Sequence, residues 1–92
     1  MAESAIEKRY CKLAKDEGDI VYKFISPNHR GVPDRLRLSK IPEEHREIVA
    51  RYIRFVELKD TGKKPEPHQV REHKRLRDLG FKVEVVDRCS GK

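Results

Sequence analysis

The segment from Ile53 to Lys59 is the clearest strand in this sequence, and it contains a closely spaced acidic and basic residue. β-branched and aromatic residues favour extended backbone, and successive side chains of a strand point to opposite faces. Glu57 and Lys59 are two residues apart, so a strand places them on one face together with Phe55. A carboxylate on a largely apolar face is costly unless it is paired or binds a metal ion. We therefore interpret Glu57 as a metal ligand, with a cross-strand salt bridge as the alternative.

A second acidic residue, Asp34, follows the turn sequence Gly31-Val32-Pro33 and begins an alternating apolar run. Aspartate is also common after proline in turns, where it bonds nearby backbone, so Asp34 taken alone allows either interpretation. Together with Glu57 it favours a metal site, because two carboxylates can hold a hard divalent ion. The Lys59 ammonium would supply charge beside an attacking water, a set of groups that suits metal-dependent cleavage of phosphodiesters. The alternative for Lys59 is a strand-end lysine that extends to solvent.

The remaining pattern predicts an α/β fold with a mixed central sheet flanked by helices. Apolar residues at helical spacing, caps and terminal glycines indicate helices, whereas β-branched and aromatic runs indicate strands. The predicted elements are a helix over 4–17, strands over 20–25 and 34–39, a short helix over 42–52, a strand over 53–59, a helix over 67–79 and a strand over 81–86. The order is thus α-β-β-β-α-β, with a possible short helix before the third strand. The first helix is predicted to have an apolar stripe made of Ile6, Tyr10, Leu13 and Ala14.

Composition limits the class of protein. With 92 residues, the chain (1–92) is predicted to be one domain with a modest core. Its 41% charged residues and net charge of +6 favour a polyanionic partner. No segment is long and apolar enough for a membrane span or a signal peptide, so no membrane association is expected. Cys11 and Cys89 form no metal-binding pair, and a reduced cytoplasmic location is expected.

Four parts of the sequence together resemble the PD-(D/E)XK nuclease superfamily and, within it, the virus-type replication–repair nuclease (VRR-NUC) family. They are Glu7 in the first helix, Gly31-Val32-Pro33-Asp34, Val56-Glu57-Leu58-Lys59, and Gln69 in the second long helix. These parts span most of the chain in the order typical of the family. The resemblance implies a restriction-endonuclease-like core and a stand-alone phage or bacterial nuclease that uses Mg²⁺ or Mn²⁺, with no small-molecule cofactor.

The resemblance also implies roles for individual residues. Asp34, Glu57, Glu7 and the carbonyl of Leu58 would bind the ion, and Lys59 and Gln69 would act with them in catalysis. Glu7 has a second explanation, because Ser4-Ala5-Ile6-Glu7 is a capping box. Gln69 would orient water or phosphate, and its alternative is a hydrogen bond to backbone in the core.

Several basic residues near these motifs are predicted to contact DNA. As a set they are predicted to form a rim that binds phosphates, whereas each one taken singly is expected to be solvated. His73 is expected to pack or to contact DNA rather than to bind metal, because no H-E-x-x-H pattern is present. The predicted DNA-binding residues are Arg30, Arg35, Lys63, Lys64 and His73.

The predicted function is metal-dependent, structure-specific endonuclease activity on branched DNA, foremost four-way (Holliday) junctions. Since one chain offers one active site and a junction needs two symmetric nicks, a homodimer is expected, with the segment 41–52 as its contact. The alternatives are a nuclease that nicks flaps, duplex or single strands, and a non-catalytic DNA-binding module. The family further implies a viral or prophage origin, and therefore activity in a bacterial host cell.

Overall fold

Three helices and four strands are present in the computed structural model, which describes residues 4–24 and 30–87. They are α1 (Ala5–Asp16), β1 (Ile20–Lys23), β2 (Arg35–Leu38), α2 (Glu43–Ala50), β3 (Arg54–Leu58), α3 (Pro67–Leu79) and β4 (Lys82–Val86). The predicted α/β class is confirmed, and the bounds differ from the predicted ones by up to two residues. Ile25, His29 and Cys89, which the sequence places in a strand, a loop and the C-terminal segment, lie outside the described residues. No helix in the described part of the chain is long and apolar enough to cross a bilayer.

The described strands pair as two small two-stranded sheets. β1 and β2 are antiparallel, with Ile20 opposite Leu38 and Lys23 opposite Arg35. β3 and β4 are parallel, with Arg54 opposite Lys82 and Leu58 opposite Val86. Both kinds of pairing in a mixed sheet are therefore present. The contacts of the chain divide it into two units, Met1–Lys40 and Ile41–Lys92, and each is described by itself.

The first unit has a small core beneath α1. Ala14, Ile20 and Leu38 are its buried apolar residues. The apolar stripe predicted for α1 is buried at Ala14 alone, since Ile6 is 80% exposed and Leu13 is 54% exposed. Two four-residue strands offer too little surface to cover the whole stripe, and Ile6 and Leu13 therefore stay exposed.

Arg37 connects β2 to the chain that follows α1. Its Nε donates to Asp19 Oδ2 at 2.7 Å, and its Nη2 donates to Glu17 Oε1 at 2.7 Å. The guanidinium also lies 5.4 Å from the ring centroid of Tyr10, within the range of a cation–π contact. Ser39 Oγ donates to the same oxygen of Asp19 at 2.9 Å. These hydrogen bonds, first from Arg37 and then from Ser39, lower the pKa of Asp19.

Replacing Asp19 by asparagine is expected to lower the melting temperature by a few degrees near neutral pH and much less in acid. The pKa of Asp19 is lower in the folded protein than the value of about 3.9 expected for the unfolded chain. The ionised carboxylate therefore stabilises the fold above about pH 4, and this stabilisation is lost as the pH falls through the lower, folded pKa. Melting temperatures of the wild type and the variant, recorded by circular dichroism from acid to neutral pH, measure this loss of stability. Asp16→Asn is the control, because Asp16 is 59% exposed and its ion-pair partner is Lys12, on the same helix. An equal loss in both variants would contradict the prediction.

The second unit is a strand–helix–strand arrangement preceded by α2. Phe55 of β3 and Phe81 pack edge to face, with ring centroids 5.7 Å apart. Leu76, Phe81 and Val83 are buried around this contact. Pro67 begins α3 at a position where its missing N–H costs nothing, and Gly80 ends the helix with a φ of 104°. This arrangement fixes the face of β3 that α3 covers.

Candidate active site

Glu57 lies on the face of β3 that is turned towards α3. Along the strand, Phe55, Glu57 and Lys59 are partly covered, while Arg54, Val56 and Leu58 are exposed. The alternation places Glu57 and Lys59 on one face, as the sequence predicts. The Glu57 side chain retains 26% exposure, so its carboxylate is supported by protein on one side and open to solvent on another.

Gln69, in the first turn of α3, holds one oxygen of this carboxylate. Its Nε2 donates to Glu57 Oε2 at 3.0 Å. Its Oε1 accepts a hydrogen bond from the backbone N–H of Glu66 at 2.8 Å, which satisfies an N–H at the start of the helix. Gln69 therefore joins the start of α3 to Glu57. The Gln69 amide accepts a backbone hydrogen bond and also contacts Glu57 of the candidate site. Its predicted role in orienting water or phosphate stays a prediction.

His73 lies one turn further along α3 and contacts the other oxygen of Glu57. Its Nε2 is 3.3 Å from Glu57 Oε1, and the residue is only 7% exposed. Among the residues that the structure describes, it is the one polar residue that is buried. Both carboxylate oxygens of Glu57 thus face side chains from one surface of α3.

Lys59 follows β3 and begins a basic loop. Its backbone N–H donates to the carbonyl of Val86 at 2.9 Å, which extends the pairing with β4 by one residue. The side chain lines an open cleft of about 430 Å³. The cleft is lined by Leu58, Lys59, Asp60, Lys63, Lys64 and Glu66. Three lysines against two carboxylates give this surface a net positive charge, which suits a phosphate group.

In the first unit, Glu7 forms the capping box that the sequence indicates. Its Oε1 accepts from the Ser4 backbone N–H at 2.9 Å, and Ser4 Oγ accepts from the Glu7 N–H at 3.1 Å. Arg35 Nη2 is 3.7 Å from Glu7 Oε2. The Ser4 backbone hydrogen bond, and after it the charge of Arg35, lower the pKa of Glu7. Glu7 thus completes the capping box of α1, whose N-cap is Ser4, and its role as a metal ligand stays a prediction.

Asp34 lies in the bend that leads into β2. Its carbonyl accepts a hydrogen bond from Phe24 N–H at 2.7 Å, and its side chain is exposed. Arg30 is exposed in the turn before it, whereas the side chain of Arg35 is only 14% exposed. Within either unit of the described chain, no three His, Cys, Asp or Glu side chains are clustered tightly enough to hold a metal ion. Asp34 therefore remains a predicted ligand that would act with Glu57.

The candidate donors nevertheless have the chemistry that a hard divalent ion requires. Carboxylates at Asp34, Glu57 and Glu7 and the carbonyl of Leu58 are all oxygen donors, the type preferred by Mg²⁺ and Mn²⁺. Each oxygen of Glu57 accepts one contact from α3 and has further lone-pair capacity. The open side of its carboxylate is thus suited to a cation.

Comparison with known proteins shows the family to which the chain belongs. No model of a known protein family matches the chain. "Putative nuclease p44" of Acyrthosiphon pisum secondary endosymbiont phage 1 is 45% identical over 85 residues, covering 92% of this chain and 82% of that protein. A solved structure described as a VRR_NUC domain is 35% identical, covering 89% of this chain and 80% of that one, with a TM-score of 0.38. With a TM-score this low, the relationship is established by sequence identity over most of each chain and not by structural similarity. The chain belongs to the VRR-NUC nuclease family.

For a VRR-NUC chain, three helices and two small sheets agree with the restriction-endonuclease-like α/β core that the resemblance implies. The structure brings Glu57, Gln69 and His73 of the motif region together. The contact between His73 and Glu57 is not apparent from the sequence, where His73 is expected to pack or to contact DNA. One signal does point to it, because Gln69 and His73 are four residues apart and share a helical face.

Proposed function

We propose that this VRR-NUC chain is an Mg²⁺- or Mn²⁺-dependent endonuclease that cleaves phosphodiester bonds in branched DNA as a homodimer, with four-way junctions as the preferred substrate. The observation that supports catalysis most directly is the arrangement at β3. Glu57 is held by Gln69 and His73 on a partly open face that also bears Lys59. A non-catalytic DNA-binding module has no need of a carboxylate fixed in this way.

Glu57, Asp34 and the Leu58 carbonyl, together with Glu7, would hold the ion. When bound, the ion supplies Lewis acidity at the phosphate and favours ionisation of the attacking water. The Lys59 ammonium would stabilise the negative charge that grows on the phosphate oxygens as the water attacks phosphorus. The bond from phosphorus to the 3′ oxygen would then break. The 3′ oxygen would take up a proton from solvent and leave as a 3′-hydroxyl on one fragment, with a 5′-phosphate on the other. Gln69, whose amide donates one hydrogen bond to Glu57, would orient the attacking water or the phosphate.

The DNA would be held through its backbone phosphates. The net charge of +6 favours a polyanion, and the cleft beside Lys59 places Lys63 and Lys64 next to the motif. Arg30 is exposed and available for a similar contact, whereas Arg35 is largely covered and lies beside Glu7. The lysines of the loop are therefore the better candidates for phosphate contacts.

Combining Lys63→Glu with Lys64→Glu is expected to weaken DNA binding and to flatten its salt dependence. Loss of two phosphate contacts reduces the slope of log affinity against log salt by about 1.8, because each contact releases roughly 0.9 counterion from duplex DNA. Fluorescence anisotropy at several salt concentrations measures this slope. A matched control is Lys12→Glu with Lys74→Glu, which changes the net charge equally at two lysines 76% exposed and paired within their own helices. An equal change of slope in the control would show that net charge alone governs binding, and an unchanged slope in the loop variant would exclude the loop.

A dimer is proposed on grounds of symmetry and exposed apolar surface. Resolving a four-way junction requires two symmetric nicks, which a two-fold dimer supplies with one active site per chain. In and beside the predicted contact segment 41–52, Ile48 is 51%, Tyr52 is 80% and Ile53 is 48% exposed. Apolar side chains of this size are suited to burial between two copies of this segment.

The proposal is tested with four-way junction, flap and linear duplex DNA, each labelled and incubated with Mg²⁺, Mn²⁺ or EDTA. Paired cuts in the junction, dependent on metal and lost in Asp34→Ala, are the expected result. Cleavage of every substrate would retain the nuclease and reject junction preference. Tight binding without cleavage under all conditions would reject the nuclease in favour of a DNA-binding module.

A further inference from the structure

We infer that His73 is a positioning residue, which acts with Gln69 to fix the orientation of the Glu57 carboxylate. Its catalytic meaning rests on the proposed function, because Glu57 is there the residue that binds the ion. Independently of any cleavage, two side chains of α3 fix the orientation of Glu57, one at each carboxylate oxygen. His73 thereby acts through Glu57 and not by contact with DNA.

The amide of Gln69 is oriented by its backbone partner. Its Oε1 accepts from the N–H of Glu66 at 2.8 Å, so its Nε2 is the end that faces Glu57. An amide turned the other way would place an oxygen against a carboxylate oxygen and an NH₂ group against an N–H. Both contacts would be repulsive. One oxygen of Glu57 is thus held by a group that is itself anchored to the start of α3.

His73 supplies the second contact from a buried position. A carboxylate oxygen accepts hydrogen bonds and does not donate them, so the His73 Nε2 facing Glu57 Oε1 at 3.3 Å must bear a hydrogen. The residue is 7% exposed, and Leu76, three residues later on the same helix, is 4% exposed. Packing therefore restricts the imidazole, and its Nε2 remains directed at Glu57.

Contacts at both carboxylate oxygens restrict rotation of the Glu57 carboxylate, whereas a contact at one oxygen does not. A carboxylate held at a single oxygen can rotate about its terminal torsion, which is broad in glutamate. With Gln69 at Oε2 and His73 at Oε1, that rotation separates both pairs of atoms. Groups that orient a metal-binding side chain in this manner contribute to ion affinity although they never touch the ion.

The burial of His73 argues against a direct contact with DNA. A phosphate needs an accessible donor, and the His73 side chain, only 9% exposed, offers almost no surface. His68 provides the comparison, because it lies on the same helix and is exposed. A role in DNA binding predicts that His73→Leu raises KM, whereas a positioning role predicts a loss in kcat with KM nearly unchanged.

The first test uses NMR of the intact protein in EDTA, so that neither metal nor cleavage enters. The ¹⁵N spectrum of His73 is expected to show a hydrogen on Nε2. The carboxyl ¹³C resonance of Glu57 is expected to shift in His73→Leu and to return towards the wild-type position in His73→Gln, because glutamine can also donate to Glu57. His68→Leu, the matched control, should leave that resonance unchanged. A bare Nε2 in the wild type, or a Glu57 resonance unaffected by His73→Leu, would overturn the inference.

The second test is Mn²⁺ affinity of the same variants without DNA, measured by calorimetry alongside the melting temperature in EDTA. His73→Leu is expected to weaken Mn²⁺ binding by about 10-fold or more, with His73→Gln recovering most of the loss. Wild-type Mn²⁺ affinity in His73→Leu would overturn the inference. So would a loss of Mn²⁺ affinity that is proportional to the loss of melting temperature in both His73→Leu and His73→Gln, because it would reflect stability alone. A wild-type protein that binds no Mn²⁺ would refute the proposed metal site, and the NMR result would still decide the role of His73. If His73→Leu does not fold, the ¹⁵N spectrum of the wild type and the His73→Gln variant decide it.

Discussion

Glu57→Gln is expected to lower the rate of DNA cleavage by about 1,000-fold or more, which corresponds to roughly 4 kcal/mol of transition-state stabilisation. Glutamine has nearly the shape of glutamate, so β3 and its pairing with β4 should be preserved. A neutral amide is a much weaker ligand for a hard cation than a carboxylate. Cleavage of labelled junction DNA under single-turnover conditions measures the loss. Anisotropy in EDTA should show DNA binding almost unchanged, since the lysines of the cleft are intact.

The contacts of Glu57 with α3 allow this substitution without a large penalty in folding. The glutamine oxygen can accept from Gln69 Nε2, and the new NH₂ group can face His73 Nε2 if the imidazole hydrogen moves to its other nitrogen. Glu84→Gln is the matched control, because Glu84 lies opposite Val56 in the register and thus on the other face of the same sheet. A Glu57→Gln enzyme as active as the wild type, or a control equally inactive, would contradict the assignment of Glu57.

The helix and strand bounds of the second unit could be predicted closely because residues at their ends signal them. Proline at the first position of a helix and glycine just after its end are strong signals, and α3 begins at Pro67 and ends at Leu79 as predicted. Alternation along β3 likewise places Glu57 and Lys59 on one face. The capping box at Ser4 and Glu7 is of the same local kind, and both of its hydrogen bonds are present.

Features that depend on distant partners could not be predicted in this way. Helical spacing shows that Ile6 and Leu13 share a face with Ala14, yet it does not show whether anything covers that face, and Ile6 is 80% exposed. Arg35 is expected from sequence to grip phosphate, whereas the structure covers most of it beside Glu7. The contact of His73 with Glu57 joins residues 16 positions apart and follows from how α3 packs on β3. Local signals therefore identify which residues have suitable chemistry, and packing determines which of them work together.

Lys59→Ala is expected to lower kcat for cleavage by about 100- to 1,000-fold, which is the usual cost of removing one group that stabilises charge in a transition state. The backbone N–H of residue 59 still donates to Val86, so the strand pairing is retained. KM should change little, because Lys63 and Lys64 remain in the same cleft. Single-turnover rates at saturating junction DNA, compared with DNA affinity in EDTA, separate the two effects.

Lys59→Arg distinguishes a positioned ammonium from a general need for positive charge. The guanidinium is planar, larger and spread over several donors, so it cannot replace a compact ammonium beside a phosphate oxygen and is expected to restore little activity. Lys82→Ala is the control, because Lys82 is an exposed lysine of β4. It pairs with Arg54 and so lies on the face of the sheet away from Glu57. Full activity in Lys59→Arg would assign Lys59 to the DNA-binding rim, since phosphate attraction needs only charge. Loss in both Lys59 variants with normal DNA binding would place the ammonium at the reacting phosphate, on the same face of β3 as Glu57.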